Sequence, residues 1–281
     1  MHVSALTIFP VKSLQGISLQ QSELTPAGLK WDRYWMIVNQ DGLFMSQRNL
    51  SQMATIATSI NDDSLVLSHP DFPPLHIPLQ HTGGTARSVQ VWKSECKAID
   101  EGEQVSEWLT TVLGEFRGQR LSLVRMADGF TRQVSQNHTN GAENHTAFSD
   151  GYPILVTSNA SLTALNSELE SKGHKPVPMA RFRGNIEVSG GDAFAEHRHP
   201  TLDLNNGVSL HLCKPCERCK VITLDQKSGA TVEPRQPLKT LFEMQHVEQK
   251  GAFFGQNAVV AETSKKALPV VLRVGDSVGY R

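Results

Sequence analysis

The stretch VSLHLCKPCERCKVITL, residues 208–224, sets two apolar runs, Val208–Leu212 and Val221–Leu224, on either side of three thiols at x2 spacing. The runs read as strands and the cysteines as the connection between them, which makes the C-terminal half strand-rich. Three chemistries compete for Cys213, Cys216 and Cys219. Structural zinc wants four ligands, and although His211 could join the cysteines, no second Cys or His pair lies at a finger-like spacing. A ferredoxin run continues with a fourth Cys and a Pro, whereas here an apolar segment follows and Cys96 is remote. Incidental buried cysteines are the third reading, opposed by Lys214, Glu217, Arg218 and Lys220 in the same segment. A functional thiol is therefore expected, and Cys219 is the first choice, because Arg218 and Lys220 flank it and cations favour the thiolate. The alternative is an exposed thiol whose charged neighbours point away.

Outward from this stretch, strands are expected at Leu121–Met126, Tyr152–Val156, Ile186–Ser189, Ala258–Ala261 and Val270–Val278, with helices at Ser161–Leu169 and Pro237–Met244. This half reads as a strand-rich barrel decorated by helices. Residues 133–146 are polar and without apolar periodicity, so a mobile loop is expected there, one that could cover a substrate entrance. In the N-terminal half, short runs at 3–9, 17–24, 34–38, 43–46, 65–67 and 89–92, separated by turn signals including Pro70 to Pro74, predict a small, mostly antiparallel sheet. Val105, Trp108, Leu109 and Val112 then recur at helical spacing, predicting a helix over 103–113 that ends at Gly114. The fold class is mainly β (α+β), with a boundary expected near residue 118: 1–118 and 119–281.

With 281 residues and near-balanced charge, 27 basic against 28 acidic, the chain is long enough for about two domains and carries no global field to recruit nucleic acid or an anionic membrane. Any anion site must be local. No run approaches the ~18 apolar residues of a membrane span, and the N-terminus shows no cationic leader, so a cytoplasmic protein is expected.

Four fragments set a polar or cationic residue among strand-forming residues: Pro10-Val-Lys12-Ser13, Asp32-Arg33-Tyr34-Trp35, Ser149-Asp150-Gly151-Tyr152-Pro153 and Arg181-Phe182-Arg183-Gly184-Asn185. Singly, each has an ordinary surface or turn explanation. Together, Lys12, Arg33 and Arg183 could form a cationic pocket for a phosphate-bearing cofactor, with Ser13 and Asn185 adding neutral hydrogen bonds.

In order, PVKSL, DRYWMIV, FSDGYPI, RFRGN, CERC, PLKTL and FFGQN resemble the MOSC family. More narrowly, the chain is similar to members with a MOSC N-terminal β-barrel domain: amidoxime-reducing components and bacterial reductases of N-hydroxylated bases. The resemblance spans Pro10 to about Asp276. It implies an N-terminal β-barrel-like domain followed by a MOSC β-barrel, and a molybdenum cofactor, a pterin dithiolene with a phosphate tail whose metal takes one protein thiolate. Matched residue by residue, it makes Cys219 the metal ligand and catalytic residue. Lys12, Ser13 and Arg33 would bind the cofactor from one side, and Asp150, Gly151, Arg183, Asn185 and Arg218 from the other. Asn257 would lie near the metal, while the resemblance assigns nothing to Cys213 and Cys216. A pyridoxal phosphate association of the family is implied as well.

The resemblance implies reduction of small N-hydroxylated compounds, such as hydroxylaminopurines and amidoximes, by two electrons and two protons. Three departures stand out. Gly184 occupies a position where the eukaryotic members carry Pro, no membrane anchor precedes His2, and no ferredoxin-type cysteine set follows Val278. Electrons are therefore expected from a separate ferredoxin- or flavoprotein-type partner, unless the chain is truncated. The competing reading is a sulfur carrier in cofactor maturation, with a persulfide on the same cysteine.

Overall fold

The computed structural model describes residues 1–80, 83–204 and 207–281. Strand outweighs helix, 38% against 20%, so the chain is mainly β. Six strands position the site: β1 (His2–Ile8), β2 (Trp35–Val38), β3 (Ile154–Ser158), β4 (Ile186–Ser189), β5 (Ser209–Glu217) and β6 (Phe253–Val260). Five of them belong to one eight-stranded sheet, ordered Ile17–Leu19, β1, β4, β3, β6, β5, Thr201–Leu204, Val278–Tyr280. Only the β3–β4 pair is parallel; its connection carries the helix Asn159–Ser171, as a crossover requires. The end strands form no ladder with each other, and residues 1–3 meet 275–278 only through an isolated bridge and a few backbone bonds, so the barrel expected from the sequence is not closed.

The N-terminal strand lies inside the C-terminal sheet, with His2 opposite Ser189 and Leu6 opposite Ile186. Gln21–Thr25 pairs in turn with Val270–Arg273. A cut at 118 would separate these partners. Val3, Leu6, Val156, Ile186, Leu210 and Val260 fill one core beneath this sheet. A second core gathers Val11, Trp35, Ile37 and Leu65 under the helix Glu103–Leu113, which buries Val105, Leu109 and Leu113 on one face. β2 lies at the edge of a four-stranded sheet with Ser122–Met126, Ser94–Asp100 and Ala86–Val91.

Several expectations are corrected. Lys220–Thr223 is a turn of 3-10 helix rather than a strand. The Thr223 hydroxyl donates to the Lys220 carbonyl at 2.8 Å and Ile222 is buried beside Leu165 and Phe254, so the apolar run is satisfied as a buried turn. Val270–Val278 divides into Val270–Arg273 and Val278–Tyr280, which serve different sheets. Leu43–Ser46 makes only isolated bridges. Phe72–Pro78 is a strand despite its prolines, because it is the outer strand of its sheet and needs no second row of donors.

Segment 133–146 is folded. Arg132–Gln133 pairs with His145–Thr146, the Val134 N–H donates to the Asn144 carbonyl at 2.7 Å, and Val134, Thr139 and Asn144 are buried. Its polar side chains bond within the segment, as when the Thr139 hydroxyl donates to the Ala142 carbonyl, so polarity here does not signal mobility.

Beside β6, where His197 Nδ1 meets Gln256 Oε1, His246 stacks on Phe194, centroids 4.0 Å apart, and lies 5.2 Å from His197. Burial and the neighbouring His197 push the His246 imidazole down to about 4. Between the ordinary value near 6.5 and about 4 the unfolded chain binds the extra proton and the folded chain does not, so stability falls as pH drops through that window. Urea midpoints at about pH 7 and about pH 4.5 are expected to differ less in His246→Phe than in the parent, since other titrations are common to both. An equal acid sensitivity would refute the assignment.

Candidate functional site

After β1 the chain runs parallel to the approach to β2 and is fastened there by backbone bonds: Arg33 N–H to the Phe9 carbonyl, Trp35 to Pro10 and Lys12 to Trp35, at 2.8–3.0 Å. This places Lys12, Ser13 and Arg33 side by side. From the other half, Asp150 and Gly151 precede β3, Arg183 ends the 3-10 turn Met179–Phe182, and Asn185 opens β4. Cys216 and Glu217 close β5, where two register shifts against β6 twist the strand end toward the others.

All ten residues expected at the site line one cleft: Lys12, Ser13, Arg33, Asp150, Gly151, Arg183, Asn185, Arg218, Cys219 and Asn257. Ser13, Arg33 and Arg183 hold left-handed backbone, φ 70°, 49° and 55°. Such conformations cost of order 1 kcal/mol or more each and persist where the surrounding structure enforces them.

Lys12 is buried. Its Nζ donates to the Phe148 carbonyl at 2.8 Å and to Asp150 Oδ1 at 2.5 Å. Burial lowers the ammonium's affinity for its proton and Asp150 opposes that. Burial works to raise the Asp150 carboxyl, but Lys12, Arg48 and the Trp92 N–H outweigh it and hold the group well below the usual carboxylate range. Arg132 fixes this loop from behind, donating to the carbonyls of Ala147, Ser149 and Asp150.

Arg33 Nη1 donates to Asp32 Oδ2 at 2.6 Å and Asn185 Oδ1 at 3.1 Å, and Nη2 to the Arg183 carbonyl. The Asn185 amide is committed to protein: Oδ1 also accepts from the Leu155 N–H and Nδ2 donates to the Thr7 carbonyl. Asn185 therefore orients Arg33 and stitches β1 to β3. The Arg33 and Arg183 guanidiniums both lie over the Phe9 ring, 4.3 and 4.1 Å from its centroid. Burial, with the Arg33 and Arg218 charges, pushes Arg183 down to about 9, so it stays charged at neutral pH. The cleft lining holds five cations, Lys12, Arg33, Arg48, Arg183 and Arg218, against the carboxylates Asp150 and Glu217. In a chain of net charge −1 this is a local surplus of positive charge, the kind of place to which any anion site was expected to be confined.

The three clustered thiols have separate surroundings. Burial pushes Cys213 up to about 12, which keeps it a thiol. Cys216 Sγ accepts from Arg218 Nη1 at 2.9 Å. Cys219 is exposed, and its Sγ accepts from Arg48 Nη1 at 3.4 Å. The cation bonded to this thiol thus comes from the N-terminal half. The sequence neighbour Arg218 serves Cys216 and the Phe182 carbonyl instead. Among the described residues no three His, Cys, Asp or Glu side chains converge as a ligand set, so zinc or a cluster would find no cage here.

The donor set fits an anionic metal cofactor that brings most of its own ligands. Cys219 offers one accessible soft sulfur, and the surplus cations suit a phosphate tail. The buried Arg218 Nε has no hydrogen-bond partner among the described residues, and a Cβ on Gly151 would meet only open space. Gly184 is confined differently, since a Cβ there would lie 2.7 Å from Thr157 Oγ1. Sequence reasoning missed Arg48 and Trp92, whose Nε1 donates to Asp150 Oδ1 at 3.1 Å. None of 133–146 lines the cleft; residues 139–145 border another cavity, with His211 and Lys265.

Residues 1–116 match the family model of the MOSC N-terminal beta barrel domain, and residues 143–279 that of the MOSC domain. Mitochondrial amidoxime-reducing component 1 of Xenopus laevis is 31% identical over 99% of this chain and 81% of its own length. The Homo sapiens protein of that name is 30% identical over 98% and 82%, and component 2 of Rattus norvegicus 29% over 99% and 82%. A solved structure, the YUAD protein of Bacillus subtilis, aligns with a TM-score of 0.43 at 10% identity, over 99% of this chain and 93% of that one. Pyridoxal phosphate appears in none of these descriptions and finds no support in them. Among the described residues no helix is long and apolar enough to cross a membrane.

Proposed function

The chain belongs to the MOSC family, in its two-domain form with a MOSC N-terminal domain, and from this we propose that it is a molybdenum-cofactor-dependent reductase of N-hydroxylated compounds. Its substrates are hydroxylaminopurines and amidoximes, its electrons come from a separate ferredoxin- or flavoprotein-type donor, and it works in the cytoplasm. The observation that carries this reading is the convergence of Cys219 with Lys12, Arg33, Arg183 and Arg218 on one cleft, in a chain about 30% identical to proteins named for amidoxime reduction.

When bound, the cofactor supplies the two-electron chemistry that side chains lack. Cys219 holds its metal through sulfur. Arg183 and Arg218 neutralise its phosphate tail from the MOSC side. Arg33 spends three of its five N–H donors on Asp32, Asn185 and the Arg183 carbonyl, which fixes its plane and leaves the remaining donors for the cofactor. Lys12, held by Asp150 and Phe148, has one N–H to give. Ser13 and Asn257 add neutral polar groups beside these cations.

Freshly purified protein is expected to contain molybdenum and to release a fluorescent oxidised pterin on denaturation. It should reduce benzamidoxime with a chemical donor. The sulfur-carrier reading draws on the same exposed Cys219. It predicts instead a cysteine adduct of about 32 Da and no pterin, an outcome that would overturn the reductase.

A further inference from the structure

Beside the Cys219 cleft lies a groove of about 460 Å³ that the cofactor-binding residues do not account for. Leu43, Phe44, Trp92 and Phe116 give it apolar walls, and Arg48 belongs to both groove and cleft. Its volume is within the range of small-molecule sites, roughly 300–1,000 Å³.

Trp92 is the unusual member. It stands at the tip of the hairpin joining Ala86–Val91 to Ser94–Asp100, with φ 54°, a backbone state that a bulky residue rarely takes. Yet its side chain is held from three directions. Nε1 donates to Asp150 Oδ1, the Arg48 guanidinium lies 4.6 Å from the ring, and Phe44 meets it edge-on at 5.0 Å. Nearly half of the residue, 48%, still remains exposed. A rigid, half-open aromatic surface enforced at a backbone cost is what stacking a planar ligand requires.

The passage from groove to cleft is Arg48, whose guanidinium touches both the Trp92 ring and Cys219 Sγ. A planar molecule lying on Trp92 would therefore direct one end past Arg48 toward the thiol. Resting on the functional reading above, we propose that this groove seats the planar aromatic body of the N-hydroxylated substrate, with Trp92 as the stacking wall that selects aryl and heteroaryl compounds over small aliphatic ones.

The test compares KM for benzamidoxime with KM for N-hydroxyurea, which has no ring to stack, in the parent, Trp92→Ala, Trp92→Phe and Leu43→Asp proteins. With the stacking ring removed, the benzamidoxime to N-hydroxyurea KM ratio should rise about tenfold in Trp92→Ala. It should stay within about threefold in Trp92→Phe, which keeps a ring. Leu43 is 43% exposed and on the groove wall, so Leu43→Asp should also raise the ratio without touching Asp150 or Cys219. It decides the matter if Trp92→Ala fails to fold or to retain molybdenum. An unchanged ratio in both Trp92→Ala and Leu43→Asp overturns the proposal while leaving the reductase reading intact. A second readout does not depend on turnover. Adding 6-hydroxylaminopurine without an electron donor should quench intrinsic tryptophan fluorescence saturably in the parent and not in Trp92→Phe. If neither compound is reduced by the parent the functional reading fails, and this quench still supports or refutes the groove.

Discussion

Cys219→Ala protein is expected to purify folded but without molybdenum, and to be inactive toward benzamidoxime. The substitution removes an exposed thiol whose described partner is Arg48, so its direct effect on stability should be within about 0.5 kcal/mol, as for surface changes generally. Its effect on metal retention should be near-complete, because no other thiol can move in. Cys213 is held as a thiol by burial, and Cys216 is engaged by Arg218. Cys96→Ala is the matching control. Cys96 is fully buried in the N-terminal half, beside Val89 and Met36, and its loss should lower thermal stability while molybdenum per folded protein is kept. Equal molybdenum in the two variants would remove Cys219 as ligand, and activity surviving in Cys219→Ala would remove the mechanism.

Glu101→Ala is expected to destabilise the chain by about 3–5 kcal/mol, the cost of stranding one member of a buried ion pair. The side chains of Glu101 and Arg125 keep 6% and 4% of their surface exposed. They meet bidentately, Nε to Oε1 at 2.6 Å and Nη2 to Oε2 at 2.8 Å. Trp35 Nε1 donates to the same carboxylate at 2.6 Å, and the remaining Arg125 donors reach the carbonyls of Pro78 and Leu79. Removing the carboxylate leaves a buried guanidinium without its counter-charge and a buried indole N–H without an acceptor, in the core that supports β2. Pairing Glu101→Leu with Arg125→Met should recover much of the loss, since an apolar pair leaves no uncompensated charge. Urea midpoints of the two singles and the double measure this. A double variant as unstable as the worse single would show that the pair itself, rather than the stranded charge, carries the stability.

Legibility in the sequence followed pattern strength. The helix Glu103–Leu113 and the strand Ile186–Ser189 were read with their observed bounds, because each carries an uninterrupted period. Ser94–Asp100 was missed because its buried positions are small, Cys96 and Ala98, and its exposed ones are charged, so its alternation is faint. Phe72–Pro78 was hidden by prolines that only an outer strand tolerates. For the site, the residues alone could group Lys12, Arg33 and Arg183 as a cationic pocket and single out Cys219, but only the resemblance joined the pocket to the thiol, since nothing local links residue 12 to residue 219. The flanking charges of Cys219 argued for the right sulfur through the wrong neighbour. The structure puts Arg48 against it, 171 positions away, and a linear reading has no means of finding such a partner.

The interleaved ends of the chain bear on how the protein is made. His2–Ile8 is made long before its partner Ile186–Ser189 and must wait for it, while Gln21–Thr25 waits for Val270–Arg273. Pairings this distant are slow and leave unsatisfied strand edges exposed during translation. Because Lys12, Ser13 and Arg33 follow directly on that waiting strand, the cleft they share with Arg183, Arg218 and Cys219 stays incomplete until those later residues have been made. On the proposed function, cofactor insertion must follow synthesis of both halves of the cleft, and slowing translation between Arg33 and Cys219 should lengthen the period in which the unpaired β1 is vulnerable to aggregation.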